Sequence, residues 1–214
     1  MFLTLKLHNL VPDIFREQQQ ESDVWGQDVC FESGKSYLIE SASGGGKSSL
    51  LSFIYGYRND YQGYILIDGK NVSLLSQNEK QLLRRQVLSV MFQELRLFPM
   101  LTAYENVVIN NRLMHFRTEA EINRWFGQFG ITDKLNVPVR LLSWGQRQRV
   151  AFIRALCQPC SFLLLDEPVS HLDDSNTHIM ADILKEEQNA RSIGIIATSI
   201  GRHLPLDYAE TLRL

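Results

Sequence analysis

The chain has 214 residues, enough to bury a substantial core and matched to one large domain or two small ones. Hydrophobic residues at 44% and charged residues at 21% are ordinary for globular domains and exclude disordered, coiled-coil and collagen-like classes. With 22 Lys+Arg against 24 Asp+Glu the formal charge is -2, which supplies no general field for nucleic acid or an anionic membrane.

The N-terminal run Met1 to His8 alternates apolar and polar residues like a strand and lacks the long apolar stretch of a signal peptide, which points to the cytoplasm. The run Glu17 to Glu21 reads as a solvated turn between two short strands. From Val24 a β, loop, α rhythm sets in: strand Ser36 to Ile39, a Gly-rich loop, helix Lys47 to Tyr55, then strand Tyr64 to Ile67 closed by the turn Asp68-Gly69. Asn78 is placed to cap a helix ending near Gln86, and Leu88 to Phe92 returns to strand. From Thr102 to about Leu135 the patterns are helical: Thr102 leads into Ala103 to Leu113, and Thr118 into Glu119 to Phe129. The rhythm resumes after Ser143 with a helix to about Cys157, strand Phe162 to Leu165, helix Asn176 to Asn189, strand Ser192 to Ala197 and a last strand near Thr211 to Leu214. Strands alternating with helices argue for an α/β fold with a mainly parallel sheet and a helical insertion. No apolar run reaches the length of a membrane span. The spacing Cys157-Gln-Pro-Cys160 has no second pair to complete a zinc site and reads as a helix end.

The segment Ser41-Ala42-Ser43-Gly44-Gly45-Gly46-Lys47-Ser48 follows a predicted strand and opens a predicted helix, as the phosphate-loop pattern G-x-x-x-x-G-K-[ST] requires. Its glycines let the backbone wrap an anion, loop N–H groups and the helix N-terminus attract it, Lys47 reaches terminal phosphates and Ser48 can ligate Mg2+. One position departs from the pattern: Ser41 stands for the first glycine. The apolar strand ending in Leu165-Asp166-Glu167 supplies the other half of such a site, with Asp166 serving the metal and Glu167, pointing the other way, facing an attacking water.

On these residues the sequence resembles the ATP-binding cassette family, specifically the nucleotide-binding subunits of ABC transporters. Leu88 to Gln93 looks like the strand leading to the family's Q-loop glutamine; Leu142-Ser143-Trp144-Gly145-Gln146 resembles its L-S-G-G-Q signature; Ser170-His171-Leu172-Asp173 resembles its D-loop. Phe92 to Val107 is similar to short export-type cassettes of the lipoprotein-releasing, macrolide-efflux and cell-division type. The resemblance implies a P-loop NTPase fold of ABC type in one nucleotide-binding domain. It has a core of about residues 1–93 and 144–214, an antiparallel β part at its N-terminus, and a helical subdomain of about 94–143. It further implies ATP and Mg2+ as ligands, head-to-tail pairing with a second ABC subunit, and a separate integral membrane permease holding the chain at the cytoplasmic side of the membrane; no nucleic-acid partner is expected.

By position, the resemblance assigns ATP binding to residues 41–49, the last of them Ser49. Ser48, Gln93 and Asp166 fall at the metal, and Glu167, Gln93 and position 199 at the chemistry. Ser143, Trp144, Gly145 and Gln146 are to act in trans, with Asp173 in the D-loop. Phe15 lies near the family's adenine-stacking aromatic, with core packing as the alternative. Where the family has its switch histidine, this chain has Ser199, and the first signature glycine is Trp144. Serine carries no charge to meet developing γ-phosphate charge, so hydrolysis is expected to be slow. His203 either reaches back toward the site or is an ordinary exposed histidine. Trp144 either anchors the dimer seam or obstructs it. A groove near Gln93, including Leu95, Leu97, Phe98 and Leu101, is the expected seat of the permease. The competing reading is a nucleotide-gated regulatory cassette with little or no hydrolysis.

Overall fold

A computed structural model describes residues 3–17 and 21–214. Met1, Phe2 and the three glutamines of the Glu17 to Glu21 run lie outside the described residues. Two sheets form the framework. An antiparallel sheet in the order β2-β1-β4-β5 joins β1 (Thr4–Pro12), β2 (Asp28–Glu32), β4 (Tyr61–Ile67) and the two-residue β5 (Lys70–Asn71). A parallel sheet in the order β6-β7-β8-β3-β9 joins β3 (Ser36–Glu40), β6 (Leu88–Met91), β7 (Phe162–Leu165), β8 (Gly194–Ser199) and β9 (Tyr208–Arg213). Strands β3, β7 and β8 are fully or almost fully buried, as expected for a parallel sheet covered on both faces.

Among the described residues six α-helices complete the fold: α1 (Lys47–Ile54), α2 (Gln77–Gln86), α3 (Ala103–Met114), α4 (Glu119–Gln128), α5 (Trp144–Leu156) and α6 (Asp174–Arg191). Four of them start with a reciprocal capping box, Ser76/Glu79, Thr102/Glu105, Thr118/Glu121 and Ser143/Gln146, in which each side chain satisfies the other's orphan backbone donor. One apolar core, including Leu50, Phe53, Phe31 and Ile65, fills the space between the two sheets around α1. A second, including Val107, Trp125, Phe152, Leu163 and Met180, packs α3 to α6 on the other face of the parallel sheet.

Several expected boundaries move for local reasons. Helix α2 is capped by Ser76 rather than Asn78: the Ser76 hydroxyl accepts from the Glu79 amide at 3.3 Å and the Glu79 carboxylate accepts from the Ser76 amide at 2.9 Å. Helix α6 begins before Asn176, since the Asp173 carboxylate accepts from the Asn176 amide at 2.8 Å and caps it. That helix ends with Ser192 in left-handed geometry (φ 54°), so β8 starts at Gly194 and runs on to Ser199 instead of stopping at Ala197. Strand β9 begins at Tyr208, three residues early, by pairing with β3. Strand β2 supplies the second of the two short strands expected around the Glu17 to Glu21 run, whereas β5 has no counterpart in the sequence pattern. Cys157 is the buried C-terminal cap of α5, and burial raises its thiol and that of Cys160 to about 12.

The segment entering α4 is tied to α6 by a buried ion pair. Arg117 stands over the Trp125 ring, bonds the Leu156 carbonyl at 3.0 Å and pairs with Glu187, and their side chains are only 2% and 8% exposed. Removing one partner of such a pair strands the other charge. Arg117→Met is therefore expected to lower unfolding stability by about 3 kcal/mol in urea titrations; a loss near zero would show that Arg191, 3.5 Å from Glu187, suffices alone.

Candidate functional site

The carboxyl ends of β3, β6, β7 and β8 lie along one edge of the parallel sheet, where open α/β folds place ligands. After β3 the chain enters the loop Ser41 to Gly46. Gly44 (φ 87°) and Gly46 (φ 95°) hold backbone geometry that a side chain disfavours. Gly46 is the N-cap of α1 and offers no side-chain acceptor, so the first amides of that helix remain available to an anion. An open polar cleft here is lined by Ser43, Gly44, Gly46, Lys47, Ser48, Ser49, Gln93 and Glu167.

Lys47 is 5% exposed, and its Nζ donates to the carbonyls of Ser41 and Ala42, each at 2.9 Å, and stands 3.5 Å from a Glu167 carboxylate oxygen. The Ser48 hydroxyl donates to Gln93 Oε1 at 3.4 Å, and Gln93 Nε2 donates to Glu167 at 3.2 Å. Phosphate loop, Q-loop glutamine and the acidic strand end are thus brought together. Ser49 is instead taken by Arg58, which donates to its hydroxyl at 2.8 Å.

Asp166 is buried, and burial pushes its carboxyl above the usual range against the opposing hydrogen bonds of Ser48 and Thr198. The Thr198 hydroxyl donates to Asp166 at 2.8 Å and accepts from the Glu167 amide at 2.9 Å. Glu167 is left-handed (φ 47°), a strained conformation for a residue with a side chain. Its carbonyl accepts from Gln148 Nε2 at 3.2 Å. The oxygen donors Ser48, Gln93 and Asp166 suit a hard cation such as Mg2+, which binds through one or two carboxylates plus water and substrate phosphate. Among the described residues no cluster of three or more His, Cys, Asp or Glu competes as a metal site.

Phe15 is half-buried and packs on Trp25 with 6.4 Å between ring centroids. Both rings lie under the phosphate loop: a Cβ on Gly46 would come within 2.9 Å of Trp25 and 3.3 Å of Phe15. Ser199 ends β8 beside the loop, and its carbonyl accepts from the Ser41 amide at 3.2 Å. Its hydroxyl, though, is closed onto its own turn, donating to Arg202 O and accepting from Gly201 N, both at 2.9 Å. It is 1% exposed and does not line the cleft, because the turn needs an acceptor for Gly201 N, so the catalytic role expected of this side chain has no support in its contacts. His203 turns to Glu40 at 4.0 Å and to Tyr208.

The signature lies at the far end of α5. Ser143 accepts from the Gln146 amide at 3.3 Å, and Gln146 reaches back to the Ser143 amide at 2.9 Å. Trp144 is 44% exposed, with its ring edge-on to His171 of the D-loop turn at 5.4 Å. Gly145 approaches that turn so closely that a Cβ would stand 3.0 Å from His171 O. In the expected permease groove, Leu95 is buried in the core and presents nothing to a partner, Leu97 and Leu101 are half-buried and Phe98 is exposed; Met100, outside that set, is exposed beside it. The chain after Gln93 bends through two left-handed residues, Leu95 and Arg96, and their carbonyls accept from Arg154.

Motif spacing missed four residues: Thr198, Gln148, Trp25 and Arg154. Thr198 meets Asp166 only because β7 and β8 pair in parallel with Leu165 opposite Ala197, a register that spacing does not reveal.

The ABC transporter family matches residues 26–170. The chain belongs to the ABC transporter family. It is an ATP-binding cassette of that family, and these cassettes are ATPases. It is 30% identical to the lipoprotein-releasing system ATP-binding protein LolD of Saccharophagus degradans over 85% of this chain and 81% of that protein. LolD of Aquifex aeolicus is 34% identical over 80% and 78%. The dimeric structure of the bacterial ABC transporter cassette MJ0796 superposes with a TM-score of 0.78 at 25% identity, covering 91% of this chain and 87% of that one. A post-hydrolysis dimer of MJ0796 bound to ADP and Pi shares the fold, with a TM-score of 0.76 at 24% identity, 91% of this chain and 87% of that one being covered. These likenesses favour the cassette that powers transport over the regulatory alternative.

Thr198→Val keeps the side-chain volume and removes both hydrogen bonds at the acidic pair. Hydrogen bonds to charged groups are worth about 1.5–3 kcal/mol, so ATP turnover is expected to fall roughly ten- to hundredfold in phosphate-release assays, and an unchanged rate would contradict the role given to Thr198.

Proposed function

We propose that this cassette binds ATP with Mg2+ in the cleft at the sheet edge and hydrolyses it slowly, in a head-to-tail pair with a second cassette. A separate membrane permease would carry the work and hold the chain at the cytoplasmic face of the membrane. No helix among the described residues is long and apolar enough to cross a membrane. The observation that carries the reading is the convergence of Lys47, Ser48, Gln93 and Glu167 on one cleft, with Asp166 buried next to Glu167 and held by Thr198.

In this reading Lys47 exchanges its two loop carbonyls for terminal phosphate oxygens, with the α1 amides beside it. Ser48, Gln93 and Asp166 would hold Mg2+, which supplies charge neutralisation between phosphates. Glu167, anchored by Thr198 and Gln148, receives the proton of the attacking water, which Gln93 orients. Ser143 and the Gly145 amide, at the N-terminus of α5, would meet the γ-phosphate of the partner's nucleotide, flanked by Trp144 and Gln146, with Asp173 on the facing turn. Phe15 is the candidate platform for adenine, and residues 94–143 form the helical subdomain facing the permease, with Phe98 and Met100 as its exposed apolar contacts.

Slow turnover follows from Ser199. Its hydroxyl is spent within its own turn, so this position supplies no donor to developing phosphate charge, a deficit of order 10²–10³ in rate. Glu167→Gln is expected to lower phosphate release at least ~100-fold while retaining ATP binding. Ser199→His is expected to raise it at least ~10-fold. No change in either variant would contradict hydrolysis at this site.

A further inference from the structure

The three consecutive glycines of the phosphate loop are glycines for different reasons. Gly44 and Gly46 are left-handed, but Gly45 is not, so its backbone conformation accepts any residue. What excludes a side chain at Gly45 is space. An ideal Cβ there would stand 1.7 Å from Ser41 Oγ, 3.0 Å from Ser41 Cβ and 3.4 Å from the Ala42 carbonyl. At Gly44 a Cβ would meet nothing within 4 Å. The obstacle is therefore the side chain of Ser41, the residue that stands where the general pattern begins with glycine.

We propose that Ser41 and Gly45 are a matched pair, in which the serine side chain occupies the volume that residue 45 leaves vacant, and that this match positions Lys47 for phosphate. The inference rests on the ATP-binding reading above. Three contacts connect the pair to that function. The Ser41 carbonyl is one of the two acceptors that hold Lys47 Nζ, at 2.9 Å. The Ser41 amide donates to Ser199 O at 3.2 Å, which fixes the loop to the end of β8. The Gly45 amide donates to Ala42 O at 3.3 Å, the other carbonyl that holds Lys47. Rotating the serine hydroxyl away removes the 1.7 Å overlap but leaves Cβ against Cβ at 3.0 Å and Cβ against the Ala42 carbonyl at 3.4 Å, so a side chain at position 45 asks the loop to give by a few tenths of an ångström at the two residues whose carbonyls hold Lys47. Ser41 and Gly45 are in this sense positioning residues whose effects are coupled.

A double-mutant cycle in the full chain, with Gly45→Ala, Ser41→Gly and the double variant, tests the match. ATP affinity is measured by calorimetry at a temperature where each variant is folded by circular dichroism. Gly45→Ala is expected to weaken ATP binding at least ~5-fold, and Ser41→Gly in the same chain to restore it to within ~2-fold of wild type, a rescue that general destabilisation would not produce. Wild-type affinity in Gly45→Ala, or a double variant as weak as Gly45→Ala, overturns the pairing. If Gly45→Ala does not fold, a folded and ATP-binding double variant supports the match and an unfolded one overturns it. If the wild-type chain itself binds no ATP, the ATP reading fails. The pairing is then decided by the nucleotide-free melting temperature, which must fall in Gly45→Ala and recover in the double variant, and is overturned if it does not.

Discussion

An ammonium group removed from water must find acceptors or give up its charge, and Lys47 finds them in two carbonyls of its own loop and one carboxylate from a distant strand. That requirement fixes much else. The loop must double back on itself for Ser41 O and Ala42 O to converge on one nitrogen, which calls for left-handed glycines on either side of Gly45. The end of β7 must lie within reach of the end of β3, although β8 separates them in the sheet. Strand β8 bridges the gap, Thr198 holding Asp166 and the Glu167 amide on one side while the Ser199 carbonyl holds the Ser41 amide on the other.

Helix α5 carries the second set of constraints. Within its 13 residues, roughly 20 Å of rigid rod, it starts at the signature, touches the acidic turn in its first half and ends at the Q-loop. Gln148, buried, donates to Glu167 O and accepts from the His171 amide, so the turn carrying His171 and the backbone of Glu167 share one side chain. Arg154, with burial lowering its guanidinium to about 10, holds the two left-handed residues that follow Gln93. In the proposed pair, the signature that would meet a partner's nucleotide and the residues around this chain's own are mounted on one element, which would give a physical route by which occupancy of one site is felt at the other.

Most of the architecture is legible in the sequence because it rests on local chemistry: alternation in β1, apolar runs in β7 and β8, capping pairs at Thr102 and Thr118, glycines before Lys47. The boundaries that moved did so where a nearby acceptor outweighed pattern, as with Ser76 and Asp173. Strand β5, two residues long, is held only by pairing with β4 and has no pattern of its own. In the site, Lys47, Gln93, Asp166 and Glu167 are recoverable from motif order, whereas Thr198, Gln148 and Trp25 act through register and burial that only the folded chain displays. Trp25 donates to Gly45 O at 3.4 Å from beneath the loop, a contact spanning twenty residues with no spacing rule behind it. Leu95 and Ser199 mark the reverse case. Each lies where sequence order places it, and each has its side chain turned to a local need.

In the proposed function a buried lysine, parked on its own loop, is the group that receives ATP. Calorimetric titration of ATP into wild type and Lys47→Ala, both checked for folding, tests it most directly. The variant is expected to lose affinity at least ~10-fold, from the lost charge-assisted contacts to phosphate. Equal affinity in the two proteins would contradict it.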